Sequence, residues 1–146
     1  MKKIISILAF WLSASAFSGQ LLVSVEEMNA SKSAISTLNA KSVAPKNAPL
    51  VELNSPKLTS AIYSPTPIEL KFLPTPPSSV KPETFKVLYG AFEVDITKRI
   101  LNLAKVSETG VYVHEASLPK GKHKLLLVVD DTLRRRGQMS IEFEIQ

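Results

Sequence analysis

The sequence predicts an all-β fold, an antiparallel β-sandwich of about seven short strands that follows an export signal and a segment without strand character. Apolar and polar residues alternate with period two in several stretches from Leu50 to the end of the chain, and turn-forming residues separate these stretches at short intervals. The 146 residues include no cysteine, so packing without disulfides must hold the predicted core together.

The N-terminus has the pattern of a secretory signal peptide. Lys2 and Lys3 precede a mainly apolar run over residues 4–12, and Ala14-Ser15-Ala16 supplies the small residues of a cleavage site. A bilayer span needs about 20 apolar residues, so this run is too short to serve as a membrane anchor. We therefore expect residues 1–16 to be removed, with cleavage after Ser18 as the alternative. The mature protein is then periplasmic or secreted and has no transmembrane segment.

Charge and composition exclude several classes of function. The full chain carries a formal charge of +5, and without Lys2 and Lys3 it has 16 basic and 13 acidic residues, a net charge of +3. This mild excess does not indicate nucleic-acid binding, which usually shows a strong basic stripe. Without cysteine, thiolate metal sites and cysteine nucleophiles are excluded.

Residues 17–49 are predicted to be a linker or a loosely helical segment. They are rich in Ser, Ala, Asn and Lys. Leu21, Val25 and Met28 partly fit a helical stripe, but Lys32 interrupts it and we find only weak capping signals. A flexible tether or loose helix is therefore favoured, and a helix docked on the domain is the alternative.

Residues 50–146 contain the predicted strands. Alternation places them at residues 50–53, 68–72, 85–89, 92–95, 111–118, 123–129 and 139–145. Six prolines crowd residues 65–82 and make residues 73–82 a loop. In residues 95–103, Asp95 is a candidate N-cap, and we expect one helical turn followed by an extended stretch.

The strand predicted at residues 123–129 is apolar on both faces. Leu126 and Val128 lie opposite the other apolar residues, so they form a candidate apolar contact face. The N-terminal segment, a long loop or a partner subunit could cover this face. Strand edges, including that of the last strand, offer a second route to partners and to self-association as a homo-oligomer.

Three stretches resemble bacterial immunoglobulin-like modules of exported proteins. They are FKVLYGAFEVDIT (85–97), LPKGKHKLLLVVDD (118–131) and MSIEFEI (139–145). The resemblance implies an immunoglobulin-like β-sandwich over residues 50–146. It also implies that the His123 ring ties the start of a strand to a nearby loop, as the tyrosine corner does. The turn DDTLRRRG (130–137) is longer and more basic than the family's usual turn, and the resemblance assigns no binding residue.

The histidines and carboxylates give little sign of chemistry. His114 and His123 are weak metal candidates, because their spacing fits no ligand motif; they are better explained as a strand residue and a corner residue. The chain lacks a G-x-S-x-G motif, and the adjacent Asp130 and Asp131 are expected to accept turn N–H groups. We therefore predict no enzyme activity, no metal and no cofactor.

The sharpest surface feature is Arg134-Arg135-Arg136, which could contact an anion or an acidic partner or could simply be a solvated turn. Lys120, Lys122 and Lys124 could extend this patch if the two hairpin ends pointed the same way, but in an immunoglobulin-type sandwich they would be at opposite ends of one strand, which argues against it. The leading hypothesis is an exported, non-catalytic binding or accessory module for an unknown protein or envelope component. The alternative is a periplasmic metal-handling or chaperone-like domain.

Overall fold

A computed structural model describes residues 21–33 and 45–146 of the chain. The predicted signal peptide and its cleavage sites lie outside the described residues, as do residues 34–44 of the predicted linker. The described elements are, in chain order, helix α1 (Val25–Ser33), strands β1 (Leu50–Ser55), β2 (Thr66–Leu73), β3 (Val80–Tyr89) and β4 (Val94–Asp95), helix α2 (Thr97–Leu101), and strands β5 (Ala104–Ser107), β6 (Gly110–Ala116), β7 (Gly121–Asp131) and β8 (Arg136–Ile145).

The strands form two antiparallel sheets of four strands each. The first sheet has the order β1-β2-β6-β5, and the second has the order β4-β3-β7-β8. The predicted antiparallel sandwich is confirmed. The described residues hold eight strands rather than seven, because the extended stretch expected after the helical turn pairs with β6 as β5.

Alternation along the strands builds the core between the two sheets. On β2, Ile68, Leu70 and Phe72 are buried, whereas Glu69 and Lys71 between them are exposed. The Phe72 ring meets the Phe85 ring of the opposite sheet, with centroids 5.7 Å apart. The longer strands therefore each contribute an apolar face to a single core, as their period of two requires, whereas both residues of β4 are exposed.

The connection from β4 to β5 contains the predicted helical turn, now seen as α2. Asp95 does not cap it from the N-cap position, which Ile96 occupies without a side-chain hydrogen bond. Instead, the Asp95 carboxylate accepts a hydrogen bond from the Thr97 N–H at 2.9 Å, which forms an Asx turn over residues 95–97. Hydrogen bonds from the Thr97 side chain and backbone lower the pKa of Asp95.

Residues 21–33 dock on the sandwich, so the favoured interpretation of a tether does not describe this part of the segment. Leu22, Val23 and Met28 are buried in the core, with 1%, 0% and 6% of their surfaces exposed. The Leu22 N–H donates to the Ser117 carbonyl at 3.1 Å, in the connection between β6 and β7. The segment therefore belongs to the folded domain.

Helix α1 begins with a capping box, which corrects our expectation of weak capping signals. The Glu27 N–H donates to the Ser24 hydroxyl at 3.1 Å, and the Ser24 N–H donates to the Glu27 carboxylate at 2.9 Å. Val23 and Met28 are buried on either side of this box, at the spacing of a hydrophobic staple.

Two side chains hold α1 against the sandwich. The Arg99 guanidinium of α2 donates to both Glu27 oxygens at 2.7 and 2.8 Å and to the Leu22 carbonyl at 3.1 Å. These contacts, first the Arg99 hydrogen bond and then that of Ser24, lower the pKa of Glu27 to about 2. At the other end of α1, the Ser31 hydroxyl accepts the Ala91 N–H at 3.0 Å. Helix α1 thus lies where β3 ends and β7 begins.

The sheet edges are short or partly covered. Strands β4 and β5 have two and four residues. Strand β8 is a ten-residue edge strand, but Gly137 packs so closely on the Pro49 carbonyl that a Cβ would overlap it. Beyond its other end, the Gln146 N–H donates to the Ile62 carbonyl at 2.9 Å. The other edge strand, β1, has six residues, so the predicted strand-edge self-association would use β1 or the middle of β8.

None of the helices in the described parts of the chain is long and apolar enough to cross a membrane.

Candidate binding groove

His123 is buried at the start of β7 with both ring nitrogens engaged. Its Nε2 lies 2.7 Å from the Pro119 carbonyl, which can only accept, so Nε2 carries the proton and Nδ1 accepts the Tyr89 hydroxyl at 2.9 Å. Burial lowers the pKa of His123 and raises that of Tyr89 to about 12. His123 therefore ties β7 to the preceding loop as a neutral ring, and neither nitrogen offers a free lone pair to a metal.

His114 lies on the other sheet from His123. It is exposed on β6, in the other sheet, where its ring centroid is 6.2 Å from that of Tyr112. Among residues 21–33 and 45–146, no three side chains of histidine or carboxylate type converge so that they could hold a metal ion. The structure thus does not bring the two weak metal candidates together.

Two of the three predicted arginines are held by carboxylates of their own turn. The fully buried Asp131 carboxylate accepts a hydrogen bond from the Arg135 Nε at 2.7 Å. One of its oxygens also accepts hydrogen bonds from the backbone N–H groups of Leu133 and Arg135. The Arg135 guanidinium also donates a hydrogen bond to the Ser78 hydroxyl at 2.7 Å. Burial alone would raise the pKa of Asp131, but these hydrogen bonds outweigh it and leave the pKa below its usual value.

Arg136, the second arginine held by a carboxylate, and Arg134 lie at the surface. Arg136 pairs with Asp130 at 2.9 Å, in an exposed ion pair. Arg134 has a left-handed backbone with φ of 59° and is exposed. It has no ion-pair partner within the described residues. Of the three arginines proposed to contact an anion, only Arg134 has no carboxylate partner among the described residues. The anion contact itself stays a prediction.

The candidate apolar face on β7 is largely covered. Leu126 and Val128 point away from the core, as predicted, but Val128 is only 8% exposed and Leu126 is half-buried. The register places Lys86 and Gln138 on either side of Val128. Helix α1 does not cover this face, since it contacts the end of the sheet near Gly90 and Gly121.

A groove of about 410 Å³ opens between α1 and the second sheet. We call it the α1 groove. It is lined by residues of α1, of the β3–β4 turn, of β7 and of β8: Ser31, Lys32, Ala91, Lys122, His123, Lys124, Glu142, Phe143 and Glu144. Strand register creates much of this surface, because Lys122 pairs with Glu144, His123 with Phe143 and Lys124 with Glu142.

The charges of the α1 groove are incompletely compensated. Lys124 approaches Glu142 at 3.5 Å, an exposed pair of small energetic value. Lys32 and Lys122 have no carboxylate within ion-pair distance among the described residues. After burial itself, the positive charge of Lys32 is a further cause that lowers the pKa of His123. The Lys32 ammonium lies close to Gly121, where an added Cβ would be 3.2 Å from its nitrogen. Phe143 is half-buried and stacks on His123, with centroids 5.6 Å apart.

Part of this groove was predictable from the sequence. Lys122 and Lys124 stand out there as basic residues and His123 as a corner residue, whereas Ser31, Lys32 and Phe143 did not stand out as site residues. The available signal was the S-x-x-E pattern of Ser24 and Glu27, which predicts a helix start and would have put Ser31 and Lys32 in the last turn of that helix.

Comparison with known proteins gives no relatives: no family model, no curated protein and no solved structure matches the chain.

Proposed function

We propose that this chain is an exported, non-catalytic immunoglobulin-like module that binds a periplasmic or extracellular partner through the α1 groove. The observation that carries the immunoglobulin-like part of the proposal is the strand order, and the observation that carries the binding part is the α1 groove with its exposed charged side chains. The order β1-β2-β6-β5 facing β4-β3-β7-β8 corresponds to the A-B-E-D and C′-C-F-G sheets of immunoglobulin sandwiches.

The corner at the start of β7 supports the same fold family. In immunoglobulin domains, a tyrosine near the start of strand F bonds backbone a few residues upstream. His123 lies near the start of the corresponding strand, and its ring bonds the Pro119 carbonyl four residues upstream. A histidine therefore fills the structural role that a tyrosine has in those domains.

The chemistry of the groove favours binding over catalysis. Its ammonium groups and carboxylates can form charge-assisted hydrogen bonds with a polar partner, and its aromatic ring can pack against an apolar group. The histidine in its lining is neutral and bonded on both nitrogens, so it is engaged in holding the fold rather than positioned to accept a proton.

Export is part of the proposal and rests on the signal-peptide pattern at the N-terminus. Mass spectrometry of the native protein is expected to give a mature chain that begins at Phe17, or at Gly19 for the alternative cleavage. A native protein that retains Met1 would overturn this part of the proposal.

Site-specific photocrosslinking in the intact cell tests binding through the groove. A photoreactive residue at Lys122 is expected to give a discrete crosslinked product, whereas the same residue at the exposed Lys105 of β5 serves as the matched control. Crosslinks of equal yield at both positions, or none at Lys122, would contradict a partner site in the α1 groove.

A further inference from the structure

The end of α1 lies on the strand face that carries the buried His123. We call residues 28–33 the α1 end. It packs on the bare backbone of Gly121, where an added Cβ would lie 3.3 Å from the Met28 sulfur and 3.2 Å from the Lys32 nitrogen. Gly121 and His123 are two positions apart on β7, so they share one face of the sheet. The α1 end therefore helps to shield His123, which is 3% exposed.

The hydrogen bonds of His123 suit only the neutral ring. Its Nε2 donates to the Pro119 carbonyl, and its Nδ1 accepts the Tyr89 hydroxyl at 2.9 Å. A second proton on Nδ1 would meet the hydroxyl proton, which would then have to turn toward another acceptor. Among the described residues, His123 is the acceptor that this hydroxyl has, and Tyr89 is only 1% exposed. Protonation in place would therefore leave a buried donor unsatisfied, which is costly.

The charged groups around the ring add to this cost. After burial itself, the positive charge of Lys32 lowers the pKa of His123, so a protonated ring would face a like charge on the α1 end. Glu27 of α1 acts on Tyr89 instead and is held by Arg99. From β8, the ring meets the aromatic ring of Phe143. The other charged side chains of the surrounding elements lie on the opposite sheet face or in exposed loops: Glu93, Lys120, Lys122, Lys124, Glu142 and Glu144.

We propose that the α1 end is released by acid: protonation of His123 lifts residues 28–33 from Gly121, while the start of the helix stays clamped by Arg99. Lifting admits water to the ring and removes the Lys32 ammonium, so the imidazolium gains solvation and loses a like charge. The strands around the ring are held by extensive pairing, with ten residue pairs between β7 and β8. The α1 end is held by the packing of Met28 and by the bond between Ser31 and Ala91. It is therefore the element that opens at the lowest cost.

Proton linkage sets the direction and the size of the effect. The pKa of His123 is lowered by burial while α1 is docked and returns toward its ordinary value of about 6.5 once the ring is hydrated. The open state therefore gains a proton as the pH falls below about 6.5. Because one proton is involved, the open population rises by at most about tenfold per pH unit. The Glu27 carboxylate in the clamp, with its pKa of about 2, stays charged throughout this range.

Release of the α1 end would remove Ser31 and Lys32 from the lining of the α1 groove. Acid would thus dismantle the proposed partner site without unfolding the sandwich. The inference goes beyond the proposed function and does not depend on it, since opening of α1 is measured without a partner. Failure of the crosslinking experiment at Lys122 would leave the acid release intact, and the converse also holds.

The test follows amide hydrogen exchange by NMR in the mature full chain between pH 7.5 and 5. Protection is expressed relative to an unstructured peptide, which removes the intrinsic effect of pH on exchange. We expect the protection of residues 28–33 to fall about tenfold or more over this range. The Leu22 amide, which donates to Ser117, and the amides of β8 are expected to lose much less. His123→Gln should abolish the decrease, and His114→Gln, the matched control, should preserve it.

Lys32→Gln gives an independent measurement, because this exposed residue can be changed with the buried ring left in place. Without its like charge, the docked state tolerates a protonated His123 better, so the loss of protection with acid should be smaller. Lys105→Gln on β5 makes the same charge change in the other sheet and should behave as the wild type.

Three outcomes would overturn the acid release. They are protection of residues 28–33 that does not change with pH, a decrease that persists in His123→Gln, and an equal decrease in the α1 end and β8, which is global unfolding. If His123→Gln does not fold, the two lysine variants decide. Equal decreases in Lys32→Gln and Lys105→Gln would then show that no charge on the α1 end senses His123.

Discussion

The two ends of β7 carry similar amounts of basic sequence and use it in opposite ways. At the C-terminal end, Asp131 holds Arg135 through a buried ion pair, and Asp130 holds Arg136. At the N-terminal end, Lys122 has no carboxylate partner within the described residues. The strand has eleven residues, so roughly 35 Å separates the two ends.

The difference shows that the number of cations in a stretch of sequence does not predict which of them are available to a partner. Availability depends on whether a buried carboxylate lies within reach. Arg135 closes a turn on Asp131 and Arg136 pairs with Asp130, so among the described residues only Arg134 of the three has no carboxylate partner. On the strand, Lys124 approaches Glu142, whereas Lys122 has no carboxylate within ion-pair distance among the described residues.

The largest expected effect is at the arginine end. Replacing Asp131 with Asn leaves the Arg135 guanidinium without its buried counter-charge and weakens the bonds to two turn N–H groups. We expect a loss of about 3 kcal/mol in the free energy of unfolding, measured with urea. Asp130→Asn breaks only the exposed pair with Arg136 and is the matched control, with an expected loss below about 1 kcal/mol. Equal losses in the two variants would show that the two arginines are not used differently.

A smaller effect is expected at the groove end, from Arg99→Met. The variant removes the bidentate pair with Glu27 and the bond to the Leu22 carbonyl. Because Arg99 is partly exposed, we expect a loss of about 1–2 kcal/mol in unfolding free energy. Hydrogen exchange should accelerate over residues 21–33 but not over β8. Unchanged exchange of α1 would show that burial of Leu22 and Val23 holds the segment without the clamp.

At the groove end of β7, the free energy of unfolding is expected to depend on pH through His123. The buried, neutral His123 has a lowered pKa, so the unfolded chain binds a proton more readily than the folded one as the pH falls below about 6.5. The contribution of His123 to the free energy of unfolding is fully present above that pH and is lost as the pH falls below it. Urea denaturation between pH 5 and 8 should show this decline, and His123→Gln should remove it. His114→Gln, at the exposed histidine, is the control, and a decline that follows His114 instead would contradict the assignment.

Glu27 contributes in a separate, more acidic window. Its pKa of about 2 in the folded protein lies below the ordinary value of 4.5. The contribution of Glu27 is therefore present above pH 4.5 and is lost as the pH falls from there toward 2. Arg99→Met should flatten the stability curve in this range only, whereas a change above pH 5 would not fit the clamp.

The smallest effect is expected from Arg134→Ala. This exposed residue has no ion-pair partner within the described ranges, so the unfolding free energy should change by less than about 0.5 kcal/mol. Arg135→Ala is the informative comparison, because it breaks the bonds to Asp131 and Ser78. A loss for Arg134→Ala as large as that for Arg135→Ala would show that the turn uses all three arginines alike.

The strands were predictable because their signal is local. Alternation on β2 and on β8 sets which side chains face the core, whatever lies opposite. The docking of residues 21–33 was harder to predict, because the residue that fixes Glu27 is Arg99, 72 positions away. Local sequence does show that Ser24 and Glu27 can cap a helix, but it does not show what that helix packs against.

The partners of the basic residues in the groove and in the arginine turn were hard to predict for the same reason, because they lie far away in the sequence. Lys122 and Lys124 were visible as a basic strand, yet the groove needs Lys32, which docking alone brings near them. Arg135 was visible as a cation, yet its partner Ser78 lies 57 positions earlier and is brought close by the pairing of β3 with β7. Chemistry that depends on contacts between distant residues cannot be read from spacing.

The closeness of Gly137 to the Pro49 carbonyl has a consequence for how the protein is handled. Until residues 49 and 62 reach β8, that strand presents an unpaired edge of ten residues to any other chain. Aggregation during refolding should therefore rise steeply with protein concentration, whereas the folded protein, which offers only the middle of this edge, should aggregate less at the same concentration. Any side chain larger than hydrogen at position 137 would push the Pro49 carbonyl away and extend that vulnerability to the finished fold.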